Sequence, residues 1–101
     1  MAITRDKPLR ELVKDPDAVL DYSIDWTDWI VSGDSIATST WAIDVAPDAD
    51  LEIDSSSIVA GFPTVWLSGG TAGETYVVRN RVVTADSRTD DRSIVIHVRS
   101  R

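Results

Sequence analysis

Hydrophobic and polar residues alternate with a period of two along most of the chain. The longest alternating runs cover residues 37–45 and 76–83, and shorter ones cover 22–26, 51–53, 65–67 and 94–98. A β-strand sends successive side chains to opposite faces, so these runs predict half-buried strands. Turn signals separate the runs at residues 32–34, 47–50, 61–63, 68–73 and 86–91. Short strands with turns about every 8–12 residues predict an all-β antiparallel sandwich of about seven strands.

The beginning of the chain departs from this alternation. Residues 8–20 are the one stretch compatible with a helix, because Pro8 suits a first helical turn and Leu9, Leu12 and Val13 then share one side. Pro16 ends that stretch. We therefore predict a short irregular N-terminal arm at residues 1–18 and a β-sandwich domain at residues 19–101.

Two functions are open for the first twenty residues. They are highly charged and interrupted by two prolines, yet they carry apolar side chains that a disordered tail does not need. One hypothesis is a docking arm that becomes ordered on binding a partner. The other places Val19 and Leu20 in the first strand and packs the rest of the segment on its own domain.

Two aromatic residues indicate how the predicted sheets pack. Tyr76 follows the Gly-rich segment 68–73 and opens a long alternating strand. In immunoglobulin-like sandwiches a Tyr at this place bonds back to the backbone of the preceding corner, and glycines supply the positive φ angles that such a corner needs. We predict that Tyr76 is buried and makes this bond. Trp41, midway along its strand, is the candidate for the large core residue between the sheets.

Composition and charge exclude several classes of protein. The chain of 101 residues suits one domain, and it contains no Cys and a single His, which excludes disulfides, thiol catalysis and Cys- or His-rich metal sites. It has neither an apolar run of membrane-spanning length nor a visible secretory signal. The net charge of −7 disfavours nucleic acid as the main partner.

Charge is unevenly distributed along the chain. Residues 75–101 hold six Arg against three Asp, a net +3, so residues 1–74 carry −10. The favoured interpretation is that the arginines line the solvent face of two strands and pair with the acidic half. The alternative is that the Arg-rich end docks on an acidic protein surface.

An acidic run at residues 44–54 is a candidate calcium site, because hard cations bind clustered oxygens. The run lacks the Gly and the closing Glu of an EF-hand loop. In a strand, Asp50, Glu52 and Asp54 share the face opposite Leu51 and Ile53. A solvated strand face therefore explains the pattern better, and we predict no metal and no cofactor.

Two further groups of residues are candidates for catalytic or binding chemistry. Asp21, Asp25 and Asp28 lie near Trp26 and Trp29, a pattern shared by glycosidases and by sugar-binding surfaces. The favoured alternative places Trp26 in the core with the acids pointing outward. His97 is predicted to lie on the surface, since no Gly-x-Ser-x-Gly elbow accompanies it. We predict no catalytic, cofactor-binding or metal-binding residues.

Several segments together are distinctive. They are KDPDAVLDYSIDW at 14–26, WIVSGDSI at 29–36 with STW at 39–41, WLSGGTAGETY at 66–76 with NR at 80–81, and RTDDRS at 88–93. This combination resembles a family of small structural proteins of tailed bacteriophages, described as fiber–tail adaptor or neck-associated proteins. The resemblance extends from about residue 14 to the C-terminus. It implies an immunoglobulin-like β-sandwich in the virion without catalysis.

The resemblance and the residue pattern favour a non-enzymatic virion structural or adaptor protein. It would mediate protein–protein contacts in the neck or tail, at fiber attachment or in the head–tail region. Its expected partners are portal, connector, tail or fiber proteins, in a symmetric assembly of several copies formed in the host cytoplasm, without nucleic acid or membrane. The alternative is a carbohydrate- or host-surface-binding sandwich that uses Trp26, Trp29 or Trp66. A hydrolase built on the acids near Trp26 is the least favoured hypothesis.

Overall fold

Seven β-strands make up most of residues 10–100, which are the residues that this computed structural model describes. The strands are β1 Arg10–Lys14, β2 Leu20–Ser23, β3 Ile36–Val45, β4 Leu51–Val59, β5 Phe62–Gly69, β6 Thr75–Thr84 and β7 Thr89–Val98. One sheet has the order β1-β7-β6-β3, and the other has the order β2-β5-β4. The prediction of an all-β sandwich of about seven strands is confirmed. Residues 10–100 contain no helix, and so none that could span a membrane.

The core consists of the alternate residues that the two sheets turn toward each other. In β6, Tyr76, Val78 and Val82 are buried, whereas Val77, Arg79 and Arg81 lie on the opposite face. The remaining buried hydrophobic residues are Ile24, Trp26, Leu51, Val65, Leu67, Ile94, Ile96 and Val98. Burying an aliphatic side chain of this size contributes about 1.5–3 kcal/mol, so this cluster supplies the main force that holds the sheets together.

The large aromatic residue of the core is Trp26, which corrects the prediction for Trp41. Trp26 is 1% exposed, and its indole N–H donates to Asn80 Oδ1 at 2.9 Å. Trp41 faces the same interior from β3 but is only partly buried, and its N–H has no hydrogen-bond partner within residues 10–100. A buried Trp is favoured where its N–H finds an acceptor. Asn80, itself buried, supplies that acceptor to Trp26.

The N-terminal region contains a strand where the sequence allowed a helix. β1 pairs with β7 in parallel, with Leu12 beside Ile96 and Lys14 beside Val98. A strand forms because β7 offers an open edge of backbone donors and acceptors, and because Leu12 and Lys14 then both point inward. Residues 10–14 of the predicted arm therefore belong to the sheet. Residues 1–9 lie outside the described residues, and the docking role of the arm stays a prediction.

The connection between β4 and β5 is tighter than the sequence indicated. Val59 pairs with Phe62, so only Ala60 and Gly61 form the turn, with φ of 51° and 85°. Two positive φ angles are typical of a type I′ hairpin turn, whose twist matches that of the flanking strands. Phe62 and Pro63, predicted to lie in a turn, begin β5 instead. The hairpin therefore extends as regular strand pairing up to its tip.

Candidate interaction surface

The two tryptophans near the acidic residues are covered by arginines. Trp26 and Trp29 meet edge to face, with ring centroids 5.1 Å apart. The Arg92 guanidinium lies 4.3 Å from the Trp26 ring centroid, and the Arg88 guanidinium lies 4.7 Å from that of Trp29. These cation–π contacts close the end of the sandwich and occupy the ring faces that a sugar would need. Neither ring is therefore free to act as a binding platform.

The neighbouring carboxylates support this structure and do not line a cleft. Asp25 accepts hydrogen bonds from the backbone N–H and the hydroxyl of Thr27, and Asp28 pairs with Arg92 at 2.9 Å. Asp21, Asp25 and Asp28 are all exposed. The prediction that Trp26 is core and the acids point outward is confirmed. The glycosidase arrangement, in which two acids flank a bound sugar, is not formed by these residues.

Tyr76 forms the predicted corner. It is fully buried, and its hydroxyl accepts the Thr71 backbone N–H at 2.9 Å from the preceding Gly-rich turn. The hydroxyl also donates to Asp48 Oδ1 at 2.7 Å, a contact between residues 28 positions apart. The Thr71 hydroxyl lies between the carboxylates of Asp48 and Asp50 and can donate to either. The corner thus joins the β3–β4 connection to the turn before β6.

We expect Tyr76→Phe to destabilise the protein by about 1–2 kcal/mol, because it removes both hydrogen bonds of the hydroxyl and keeps the buried ring. Urea unfolding followed by far-UV circular dichroism measures the change. Thr75→Ser, which alters an exposed neighbour outside this contact, is the control. Equal midpoints for the wild type and Tyr76→Phe would show that the corner does not stabilise the fold.

The hydrogen bonds of Asp48 in this corner, and those of Asp91 with Arg81, make the stability of the fold depend on pH. The Tyr76 hydroxyl is the largest cause that lowers the pKa of Asp48, followed by the Asp50 backbone N–H, and the Arg81 side chain lowers the pKa of Asp91. A carboxyl with a lower pKa in the folded protein contributes stability that is complete above its unfolded pKa of about 3.9 and is lost as the pH falls through the folded pKa. We therefore expect the urea concentration at the unfolding midpoint to decrease as the pH is lowered below about 4.

The acid dependence should be smaller in Tyr76→Phe, because Asp48 then loses its main hydrogen-bond donor. Urea unfolding of both proteins at a series of pH values between about 2.5 and 6 checks this. A midpoint that does not change with pH in the wild type contradicts the prediction.

The acidic strand face has the predicted alternation. Leu51 is buried and Ile53 is half-buried, whereas Glu52 and Asp54 are exposed. Asp54 accepts a hydrogen bond from the Ser68 hydroxyl at 2.9 Å. Within residues 10–100, no group of three or more His, Asp or Glu side chains is placed to hold a metal ion. Asp48, Asp50, Glu52 and Asp54 form no ion pair with a basic residue of this part of the chain.

His97 makes more contacts than the sequence indicated. Its Nδ1 lies 3.0 Å from the Thr75 hydroxyl and its Nε2 lies 2.8 Å from a Glu11 carboxylate oxygen, so it links β6, β7 and β1. A hydroxyl, an imidazole and a carboxylate are the groups of a catalytic triad. Here they lie on the outer face of a sheet, between strands whose backbone N–H groups are already used in the pairing of β1, β7 and β6. In this position the three side chains connect β6, β7 and β1 on the outer face of their sheet.

The arginines lie partly as predicted. Arg79 pairs with Asp44 of the acidic half at 3.0 Å. Arg81 instead forms a bidentate ion pair with Asp91, which lies on the adjacent strand β7. Arg92 leaves the solvent face and packs on Trp26. Exposed pairs of this kind contribute little stability. Arg101 lies outside the described residues.

One group of exposed apolar side chains includes Trp66, a candidate from the sequence, together with residues that the sequence did not single out. It lies on the β4–β5 hairpin, where Ile58, Val59 and Phe62 at the tip and Trp66 farther along β5 are between 36% and 55% exposed. Ser55, Ser56 and Ser57 precede the tip and are exposed as well. We call residues 55–62 together with Trp66 the hairpin surface. The apolar pair Ile58–Val59 after three serines was the available signal, because it breaks the alternation of the strand.

A family model described as podophage GP4 fiber-tail adaptor protein gp77 matches residues 14–97. No curated protein matches the chain. The family match covers most of the chain, including all strands from β2 to β6 and the segments that carry the resemblance described above.

Proposed function

The chain belongs to the podophage GP4 fiber-tail adaptor family, and from this premise we propose that it joins fiber proteins to the phage tail by direct protein–protein contacts. As a member of this family it is a non-enzymatic structural protein of the phage particle. Attachment in the tail, next to the fiber, is the position that the family description favours over the head–tail region.

The observation that carries the proposal is the hairpin surface. Of the nine large hydrophobic residues that are exposed within residues 10–100, four lie on this one hairpin: Ile58, Val59, Phe62 and Trp66. An exposed apolar group of this kind on a small protein marks a surface for another protein. The other exposed large hydrophobic residues lie on other strands and loops, and Arg92 and Arg88 cover the rings of Trp26 and Trp29; those other residues are Val13, Val19, Leu20, Val31 and Val45.

We further propose that several copies act together in a symmetric assembly. A tail carries fibers around its axis, so an adaptor of 101 residues must be repeated to serve each of them. Each copy would then contact a tail protein on one side and a fiber protein on another. Assembly would take place in the host cytoplasm before the particle is released.

The test is a phage in which the gene for this chain is deleted and supplied from a plasmid. We expect purified particles made without the plasmid to contain heads and tails but to lack fibers in negative-stain images. Particles made with the plasmid should contain the chain and the fibers. Cross-linking mass spectrometry on these particles should join the chain to tail and fiber proteins.

Two results would overturn the proposal. One is the absence of the chain from purified wild-type particles. The other is a normal number of fibers on particles made without it. Cross-links confined to portal or head proteins would place the chain in the head–tail region and contradict the fiber-attachment role.

A further inference from the structure

The two sides of the sandwich differ in how their sheet edges are protected. On one side, β1 and β2 have only five and four residues and carry charges, and the Arg10 guanidinium donates to the Ser23 carbonyl, which joins the two edges. On the other side, β3 and β4 have ten and nine residues and lie next to each other. Short, charged edges resist pairing with another chain, whereas long uncharged edges invite it.

On the side formed by β3 and β4, the most accessible strand edge is the second half of β4. A bulge between Ile53 and Ser55 separates an acidic half, with Glu52 and Asp54, from the uncharged segment Ser55–Val59. That segment pairs regularly with β5, contains no proline and is exposed throughout. Within residues 10–100 no strand pairs with its other edge. β3 is a poorer template, because bulges interrupt it near both ends.

Side chains add to the open backbone of β4. Val59 shares one face of the hairpin with Phe62 and Trp66 of the adjacent strand, and Ile58, which pairs with Pro63, projects to the other face. Specific recognition of an added strand combines main-chain hydrogen bonds with side-chain contacts at alternate positions. The hairpin surface offers both.

Charge indicates the chemistry of the partner. Glu52 and Asp54 lie in the first half of β4, and neither forms an ion pair with a basic side chain of residues 10–100, whereas Asp48 and Asp50 just before the strand are engaged by Tyr76 and Thr71. A segment that follows β4 along its length would meet these carboxylates at one end and the apolar tip at the other. A complementary partner therefore carries Lys or Arg at the acidic end.

We infer that the free edge of β4 at Ser55–Val59 binds an extended strand of a neighbouring virion protein, apolar along the hairpin tip and basic opposite Glu52 and Asp54. This inference rests on the proposed adaptor function and names the surface that performs it. A second copy of this chain is a less suitable occupant, because its own β4–β5 hairpin contains no Lys or Arg to place opposite Glu52 and Asp54.

The test compares two double variants in particles made with the chain supplied from a plasmid. Ser57→Lys with Val59→Lys places two charges on the β4 edge. Val31→Lys with Ser32→Lys makes the same change of residue types in an exposed loop between β2 and β3. We expect the edge variant to lower the number of copies per particle at least about tenfold, and the loop variant to change it by less than about twofold.

A photo-reactive residue in place of Ser57 tests the same edge without added charge, with the same residue in place of Ser32 as the control. We expect position 57 to cross-link to a segment of another virion protein with alternating apolar residues and a Lys or Arg at one end. This measurement keeps the inference testable if the lysine variant folds poorly, which its melting temperature in free solution will reveal.

The outcomes separate the inference from the proposed function. If the wild-type chain is in the particle and the edge variant is incorporated equally well, the edge inference is wrong and the adaptor function stands. The inference is also overturned if position 57 cross-links to a second copy or to an acidic or helical segment. It is overturned as well if position 57 forms no cross-link. If the wild-type chain is absent from particles, the adaptor function itself fails.

Discussion

Replacing Trp26 by alanine should destabilise the protein by about 4 kcal/mol or more, which approaches the whole stability of a domain of this size. The indole is 1% exposed, so its removal leaves a cavity between the sheets. It also leaves Asn80 Oδ1 buried without the N–H that now lies 2.9 Å away. An unpaired buried acceptor adds about 1–3 kcal/mol to the cost of the cavity. The cation–π contact with Arg92 disappears as well.

Urea unfolding followed by far-UV circular dichroism measures this effect. Trp66→Ala is the matched control, because Trp66 is 40% exposed on the outer face of β5 and should cost below about 1.5 kcal/mol. Trp26→Phe keeps an aromatic ring but loses the N–H donor and part of the indole volume, so its cost should fall between these two. If Trp26→Ala costs no more than Trp66→Ala, the assignment of Trp26 to the core is wrong.

Deleting residues 1–14 should lower the urea midpoint by about 1–3 M, or prevent folding, because β1 is then lost. The deletion removes Leu12 from the core and exposes the edge of β7. It also removes Lys14, a buried residue whose Nζ donates to the Asp15 carbonyl at 2.9 Å and to the Gly69 carbonyl at 2.7 Å. The second of these bonds connects β1 to the end of β5 in the other sheet.

Deletion of residues 1–9 alone is the control, because it leaves all of β1 in place. We expect that variant to keep the urea midpoint of the full chain. It also tests the proposed docking arm, which requires a folded truncated protein that no longer enters particles. If the deletion of residues 1–14 leaves the urea midpoint unchanged, β1 does not stabilise the sheet. If the protein without residues 1–9 enters particles normally, the arm is not needed for assembly.

Local patterns were enough to predict the architecture and much of the core. The alternation in residues 76–83 and 94–98 predicted the strands β6 and β7, and Tyr76 is buried as expected, because the period of a strand is a property of its own backbone. The corner at Tyr76 was also predictable, since the glycines before it have the positive φ angles that the turn requires. At Gly69 a Cβ would lie 2.2 Å from the Asp50 carbonyl oxygen, so a side chain there would clash with the backbone.

The candidate interaction surface could be predicted only in part. The family resemblance indicated an adaptor, but the strand pattern did not reveal which edge is open. Residues 61–63 carry the turn residues Gly and Pro, and these concealed the fact that β5 begins at Phe62. The exposure of Ile58 and Val59 depends on which elements pack beside the hairpin, which is a property of the assembled sheets.

By itself, the sequence determined the strands from β2 to β7, the Gly-rich corner and the absence of Cys chemistry, because each depends on a residue and its near neighbours. Only the tertiary structure decided the contacts between distant segments. Tyr76 bonds to Asp48, Trp26 finds its acceptor in Asn80, and β1 becomes a strand on the edge of β7. The same local residues had allowed a helix at residues 8–20 and had favoured Trp41 for the core. Whether residues 10–14 form a strand, and which Trp is buried, depended on which buried donors and acceptors could be paired between distant segments. A local sequence pattern does not contain that information.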